Sequence, residues 1–203
     1  MDEPDSRSFE EPEPVGPEEG LPAAKAEKTK RRTSKKRWAI EVVVIVAAAF
    51  VLALLVQQFL VKPYEIPSVS MEPTLAVGDR VLVSRLTYHF RSPVRGDIIV
   101  FHPPGQEDAV PLIKRVVAVS GDTVSVHDGK LWLNGVAQDE PYLKEYPIED
   151  DYPETVVDAG YVWAMGDNRN DSGDSRVFGQ VSEDEIIGVA FAIYWPPGDI
   201  GGL

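Results

Sequence analysis

The stretch PLIKRVVAVSGDTVSVHDGKLWLNGV, residues 111–136, decides the fold class. It consists of short runs rich in Val, Ile and Leu that are separated by Gly, Asp and Asn, which is the pattern of β-strands joined by turns. Asp128-Gly129 and Asn134-Gly135 tolerate the positive φ angles that type I′ turns require, so we expect each pair to close a hairpin. The stretch therefore predicts consecutive antiparallel strands.

The same pattern continues on both sides of this stretch. Four further runs have it: DRVLVSRL at 79–86, GDIIVFH at 96–102, GYVWAMG at 160–166 and IIGVAFAIYW at 186–195. The last run is apolar but too short to cross a membrane, so we expect a buried strand there. Residues 138–158 are acidic and interrupted by proline, and we expect an exposed loop or an insertion. The sequence thus predicts a mainly β, antiparallel domain over residues 62–203.

The N-terminal part of the chain has a different character. Residues 1–37 form a tail that is acidic and proline-rich at first and basic at its end, and the acidic part has too few apolar side chains to fold. Trp38–Val61 is an apolar segment of 24 residues, which as a helix reaches about 36 Å and can cross a hydrocarbon core of about 30 Å. Lys and Arg crowd its N-terminal flank, whereas Lys62 stands alone on the other side. The positive-inside rule therefore predicts a single-pass protein of the cell membrane with a cytoplasmic N-terminus and an extracytoplasmic domain at 62–203.

A cleaved signal peptide is the alternative to this uncleaved anchor. The apolar segment is longer than the usual apolar core of a signal peptide, which has roughly 7–15 residues. The residues that follow, VQQFLVKPYEIP at 56–67, also offer no pair of small residues for cleavage. We therefore expect the segment to be retained as a transmembrane helix.

The composition argues against several classes of function. A net charge of −13 disfavours non-specific nucleic-acid binding, which needs clustered positive charge. The chain has no cysteine, which excludes disulfides, a cysteine nucleophile and a thiolate metal site. Its three histidines, His89, His102 and His127, are scattered without the spacing of metal ligands. We expect no metal and no cofactor.

Two serines shortly after the predicted span are candidates for chemistry. PSVSMEPTL, residues 67–75, places Ser68 and Ser70 one residue apart, and in an extended segment their hydroxyls would point to the same face. A serine acts as a nucleophile only with a base within hydrogen-bonding reach, and a second hydroxyl can donate to a developing oxyanion. Two solvated serines in a turn are the other interpretation, and these residues alone leave both open.

Lys114 is the candidate base, because no histidine sits in a triad context and no GxSxG elbow occurs. It lies between Leu112 and Val116 on one face of a predicted strand. An ordinary lysine, with a pKa near 10.4, is charged at neutral pH, whereas burial among apolar side chains lowers the pKa by disfavouring the ammonium form. A lysine that protects an edge strand from aggregation is the alternative.

The segment GDNRNDSGDSR, which begins at Gly166, follows a predicted strand and is the third candidate. Its Ser172 can hydrogen-bond a neutral lysine amine and orient the lone pair. Charged side chains suited to ion pairs that hold the loop beside a site are Asp167, Asp174 and Arg176, with Arg115 as a further partner. An exposed polar loop is the other interpretation.

Together these segments resemble type I signal peptidase (leader peptidase), the membrane-bound Ser/Lys protease family that removes signal peptides from exported proteins. Four sequence boxes match in order behind a single span: PSVSMEPTL with the following GD, RGDIIVF, IKRVVAVSGDTV and GDNRNDSGDSR. The resemblance extends from about Trp38 to Trp195, and the short interval between the last two boxes is similar to that of the compact family members.

The resemblance implies a role for each candidate residue. Ser70 would be the nucleophile and Lys114 the general base of a Ser/Lys dyad. The Ser68 hydroxyl and the Ser70 N–H would form the oxyanion hole. The remaining residues would orient Lys114 or support the site: Ser172, Asp174 and Arg176. The implied substrates are signal peptides of preproteins with small residues before the cut, met at the surface of a lipid bilayer.

Two other functions are compatible with parts of the sequence. One is a catalytically silent, membrane-anchored β module that binds an exported partner, although the retained Ser70 and Lys114 speak against it. The other is a specialised processing peptidase of the same family with few substrates. A self-cleaving repressor with Ser/Lys chemistry would need an N-terminal helix-turn-helix module, and here a tail and an apolar span occupy that place.

Overall fold

The computed structural model describes residues 35–106, 108–144 and 147–203. Most of the predicted N-terminal tail, residues 1–34, lies outside the described residues. The described chain begins with one long helix and continues as a series of short strands.

Helix α1 runs from Lys35 to Phe59. The side chains of Arg37–Leu54 are exposed although nearly all of them are apolar. Among the described residues, α1 is the one helix long and apolar enough to cross a membrane. It ends two residues before the predicted end of the span, because Val61 already begins the first strand. Contacts divide the described chain within this helix, between Val43 and Val44.

The described residues after α1 form two antiparallel sheets, which confirms the predicted fold class. The strands in chain order are β1 Val61–Glu65, β2 Arg80–Ser84, β3 Ile98–Phe101, β4 Leu112–Val119, β5 Thr123–His127, β6 Lys130–Leu133, β7 Val136–Ala137, β8 Tyr152–Val156, β9 Tyr161–Met165, β10 Val181–Ser182, β11 Ile186–Trp195 and β12 Gly201–Gly202. Between them lie the short helices α2 Thr87–Phe90 and α3 Ser175–Phe178, and 3-10 turns at Val69–Met71 and Glu183–Glu185. The large sheet has the order β1-β2-β11-β3-β4-β9-β10, with β12 beside β11.

The small sheet has the order β7-β6-β5-β8 and contains the two predicted hairpins. Asp128-Gly129 has φ angles of 51° and 71°, and Asn134-Gly135 has 52° and 75°. Both residues of each pair therefore adopt the left-handed conformation of a type I′ turn, as expected for Asp-Gly and Asn-Gly.

The prediction of an exposed loop over residues 138–158 is wrong in three respects. Tyr152–Val156 forms strand β8 and pairs with β5. Ile148 is 2% exposed in the core below the small sheet, and Glu140 is 2% exposed as well. The acidic composition hid these contacts, because β8 is an edge strand with a mostly exposed surface and the partner of Glu140 is distant in sequence.

The core lies in three clusters of buried side chains. The cluster that bears on the site packs Ile66, Met71 and Leu75 against strand residues that include Ile113. Met71 and Leu75 have no exposed surface. The segment that carries the two candidate serines is therefore fixed to the large sheet by burial of its apolar side chains on either side of Ser70.

Candidate active site

The segment that carries Ser70 is a tight turn. Ser68 is extended, with φ −140° and ψ 161°, but Val69–Met71 forms a 3-10 turn in which the N–H of Glu72 donates to Val69 O. The segment is therefore not extended throughout. The two hydroxyls nevertheless lie close, with Ser68 Oγ and Ser70 Oγ 3.3 Å apart.

Lys114 lies in the middle of the large sheet and contacts Ser70. Strand β4 has β3 on one side and β9 on the other, and Lys114 pairs with Ile99 in this register. The lysine is 3% exposed, and its Nζ donates to Ser70 Oγ at 2.7 Å and to Ile113 O at 3.0 Å. A lysine that protects an edge strand would be exposed to solvent, so the burial of Lys114 does not fit this alternative.

Burial sets the protonation of this amine. It lowers the pKa of Lys114 to about 8, because removal from water penalises the ammonium form. The negative charges of Asp174 and Asp167 act in the opposite direction and raise the pKa. The loss of hydration is the larger effect, and at neutral pH it leaves a useful fraction of the amine unprotonated.

The loop that follows β9 is held by two ion pairs beside this lysine. Met165, the last residue of β9, pairs with Arg115, so the loop starts next to Lys114. Asp167 accepts two hydrogen bonds from Arg115, at 2.9 and 2.7 Å. Asp174 accepts from the guanidinium of Arg176 at 2.9 Å, and both carboxylates are fully buried. The ion pairs expected from the sequence are therefore formed.

Ser172 lies near the pair but makes a different contact from the expected one. Its Oγ is buried and has no hydrogen-bond partner among the described residues, so the expected bond to Lys114 is not formed. The hydroxyl packs against Gly166, where an added Cβ would lie 2.3 Å from Ser172 Oγ and 2.4 Å from Ser70 O. The amine of Lys114 is directed instead to Ser70 Oγ and Ile113 O.

Asn168 is a site residue that the sequence reasoning missed. It is 3% exposed, its N–H donates to Ser70 O at 3.1 Å, and its side-chain amide donates to Val69 O at 3.2 Å. The loop after β9 thus donates two hydrogen bonds to the backbone of the turn that carries Ser70. The residue lies within GDNRNDSGDSR, but an amide has no charge or nucleophilicity that would mark it as a candidate.

The arrangement provides the parts of an acyl-transfer site. It brings together a buried amine with a lowered pKa, a hydroxyl 2.7 Å from that amine and a second hydroxyl 3.3 Å from the first. A base within hydrogen-bonding reach is what a serine needs to act as a nucleophile. Within residues 35–106, 108–144 and 147–203, no group of three His, Asp or Glu side chains is arranged to hold a metal ion.

Comparison with known proteins identifies the family. The family model described as signal peptidase, peptidase S26, matches residues 39–195. The chain is 43% identical over 165 residues to the probable signal peptidase I-1 of Synechocystis sp., covering 78% of this chain and 84% of the relative. It is 40% identical over 166 residues to the signal peptidase I of Leptolyngbya laminosa, covering 78% and 80%. A crystal structure of a signal peptidase I from Enterococcus faecalis aligns at 32% identity over 49% of this chain and 97% of that chain, with a TM-score of 0.43. The family model and the two relatives show that the chain belongs to the signal peptidase family, peptidase S26.

Proposed function

We propose that this chain is a membrane-anchored serine endopeptidase that cleaves signal peptides from exported preproteins with Ser70 as nucleophile and Lys114 as general base. The observation that carries the proposal is the 2.7 Å contact between Lys114 Nζ and Ser70 Oγ in a buried setting that lowers the pKa of the amine. Membership of the peptidase family supports the choice of an acyl-transfer reaction over a silent binding module.

In the proposed reaction, the neutral amine of Lys114 accepts the proton of Ser70 while Ser70 Oγ attacks the carbonyl carbon of the scissile bond. The carbonyl oxygen becomes an oxyanion, to which the Ser68 hydroxyl and the Ser70 N–H donate. The protonated Lys114 then gives its proton to the leaving amine, and an ester to Ser70 remains. Lys114 next accepts a proton from water as the water attacks the ester, and it then gives this proton to Ser70 Oγ as the bond to Oγ breaks and the second product leaves with a new carboxyl end.

The charged residues of the loop keep the amine in place for both steps. Asp174 accepts from the Gly166 N–H at 3.2 Å and from Arg176, so this pair closes the loop onto the end of β9. Ser172 packs in the same loop against Gly166. We propose that rotation of the Ser172 hydroxyl, which has no hydrogen-bond partner among the described residues, lets it donate to the neutral Lys114 amine or accept from the ammonium.

The free part of strand β4 suits an extended peptide. Strand β9 pairs with β4 only from Arg115 onward, so over Leu112–Lys114 that side of β4 has no neighbouring strand among the described residues. A substrate segment can add there as a further strand by main-chain hydrogen bonds. Addition at this position would bring the peptide beside Lys114 and Ser70. Small side chains before the cut, as in the substrates of the family, fit close packing against this strand.

The anchor explains why such a site lies close to the membrane. We propose a cytoplasmic tail at 1–37, a transmembrane helix at 38–61 and an extracytoplasmic catalytic domain at 62–203, in agreement with the apolar helix α1. Ser70 follows the end of the proposed span by nine residues, which at ~3.3 Å per residue limits its distance from the span to roughly 30 Å. Signal peptides are themselves apolar and bilayer-seated, so confinement to the same layer raises the effective concentration of substrate.

The proposal is tested by incubating the detergent-solubilised full chain with a model preprotein and mapping the product ends by mass. We expect one cut directly after a small residue, with a small residue two positions earlier. Ser70→Ala, prepared in the same way, serves as the control for contaminating proteases. Cleavage at scattered positions, or equal cleavage by Ser70→Ala, would contradict the proposed function.

A further inference from the structure

The segment between strands β7 and β8 supplies Glu140, which forms a buried ion pair with Arg169 of the loop that follows β9. Arg169 has a side chain with no exposed surface, and its two terminal nitrogens donate to the two carboxylate oxygens of Glu140 at 2.7 Å each. The Nε of Arg169 donates to Gly166 O at 2.9 Å. Glu140 thus neutralises and orients the guanidinium that holds the start of the loop, since a buried charge needs a partner.

Two residues further on, Tyr142 joins the same ion pair to strand β4. Its hydroxyl donates to Glu140 Oε1 at 2.7 Å. The guanidinium carbon of Arg115 lies over the Tyr142 ring, 4.1 Å from the ring centroid, which is a favourable cation–π distance. Arg115 is the neighbour of Lys114 in β4 and binds Asp167. Tyr142 therefore connects the strand that carries the base with the loop that carries Asp167.

Lys144 extends these contacts to the turn that carries the nucleophile. Its N–H donates to Asp167 O at 3.3 Å, and its Nζ donates to Glu72 Oε2 at 2.8 Å. Glu72 follows Ser70 by two residues. One short segment thus contacts the nucleophile turn, the strand of the base and the loop between them.

We propose that residues 140–144, which we call the strap, position Ser70 and Lys114 for reaction, with Tyr142 as the positioning residue that sets the place of Arg115. The inference rests on the Ser70–Lys114 assignment proposed above. The two reacting side chains come from segments 44 residues apart, so no local structure fixes their distance. Misplacement by about 1 Å can lower a rate by about 100-fold.

The proposal is tested with variants of Tyr142 and not of Glu140. Glu140→Gln would leave the buried Arg169 without its carboxylate partner and is expected to disturb folding. The full chain is assayed for kcat and KM on the model preprotein as wild type, Tyr142→Leu and Tyr142→Phe. The matched control is Tyr152→Leu, since Tyr152 also packs by its ring, with its centroid 5.0 Å from that of Trp163 in the small-sheet core. Thermal unfolding midpoints are measured for all four, and rates are compared well below every midpoint.

We expect Tyr142→Leu to lower kcat at least tenfold with KM within twofold of wild type. Tyr142→Phe keeps the ring below Arg115 and is expected to retain kcat within threefold. Tyr152→Leu should lower the unfolding midpoint yet keep kcat within twofold.

A kcat of Tyr142→Leu within twofold of wild type would overturn the proposal, and so would an equal loss of kcat in Tyr152→Leu. If Ser70→Ala is inactive while Tyr142→Leu is unaffected, the role of the strap fails alone; if Ser70→Ala is active, the proposed function fails.

Discussion

Lys114→Met is expected to reduce preprotein cleavage below detection and at the same time to raise the thermal unfolding midpoint at pH 7. The activity is lost because no other described base lies within hydrogen-bonding distance of Ser70 Oγ. Methionine fills a similar volume and carries no charge, so the strand β4 can keep its packing. Loss of function with a gain of stability is the mark of a residue kept for chemistry.

The stability gain follows from the lowered pKa. The pKa of Lys114 is about 8 in the folded protein, against 10.5 for a solvated lysine in the unfolded chain, so the folded state binds fewer protons between these pH values. Holding the ammonium in the fold costs about 3 kcal/mol below pH 8, and this cost declines to zero as the pH rises to 10.5. The variant also loses the two hydrogen bonds that Lys114 Nζ donates to Ser70 Oγ and Ile113 O. Each lost bond offsets this gain in stability by about 1 kcal/mol. Lys114→Met should therefore be the more stable protein by about 1–2 kcal/mol at pH 7.

The measurement is the unfolding midpoint of wild type and variant in the same detergent from pH 7 to 10. The advantage of Lys114→Met should be constant below pH 8 and decrease above it. Ser70→Ala is the matched control: it is expected to be equally inactive but keeps the lysine, so it should lack this pH-dependent gain. Turnover by Lys114→Met within tenfold of wild type would contradict the assignment of the base.

Gly166→Ala is expected to lower kcat/KM at least 100-fold. An added Cβ would lie 2.4 Å from Ser70 O and 2.3 Å from Ser172 Oγ. The Ser172 side chain can rotate away, but the Ser70 carbonyl belongs to the backbone, so the turn that carries Ser70, the proposed nucleophile, must move. Because a shift of about 1 Å in a catalytic group can lower the rate by about 100-fold, the variant should fold and yet cleave poorly.

Gly173→Ala is the control for this prediction. Gly173 lies in the same loop, and a Cβ added there would have no heavy atom within 4 Å. Its replacement should leave kcat/KM within twofold of wild type. Steady-state cleavage of a fluorogenic signal-peptide substrate compares the two variants. Equal rates for Gly166→Ala and Gly173→Ala would show that the close approach of Gly166 to Ser70 has no role in activity.

Much of this fold could be predicted because its determinants are local. The strand IIGVAFAIYW is bounded in the structure at Ile186 and Trp195, since turn residues flank an apolar run of the right length. The Asp-Gly and Asn-Gly turns form because their own residues favour positive φ. Lys114 could be singled out for the same reason, as a charged residue within an apolar strand pattern.

The remaining features depend on contacts between distant segments. Glu140 is one of many acids in an acidic stretch, and only the fold brings it to Arg169, 29 residues away. Asn168 gains its role from two carbonyl groups about a hundred residues earlier in the chain. The Ser172 hydroxyl has no hydrogen-bond partner among the described residues, and this could not be predicted either, because its orientation depends on the packing of Gly166 against Ser70. A sequence pattern reveals a residue of unusual type, whereas Glu140, Asn168 and Ser172 are ordinary polar residues that gain their roles from the position to which the fold brings them.

The most direct test of a neutral Lys114 as base is the pH dependence of kcat/KM for the wild-type full chain. The substrate should have no group that titrates between pH 6 and 10, so that the acid limb reports the free enzyme. Because the pKa of Lys114 is about 8, kcat/KM should rise about tenfold per pH unit below pH 8 and level off above it. A profile that is already flat between pH 6 and 8 would show that the amine is not the base and would contradict the account.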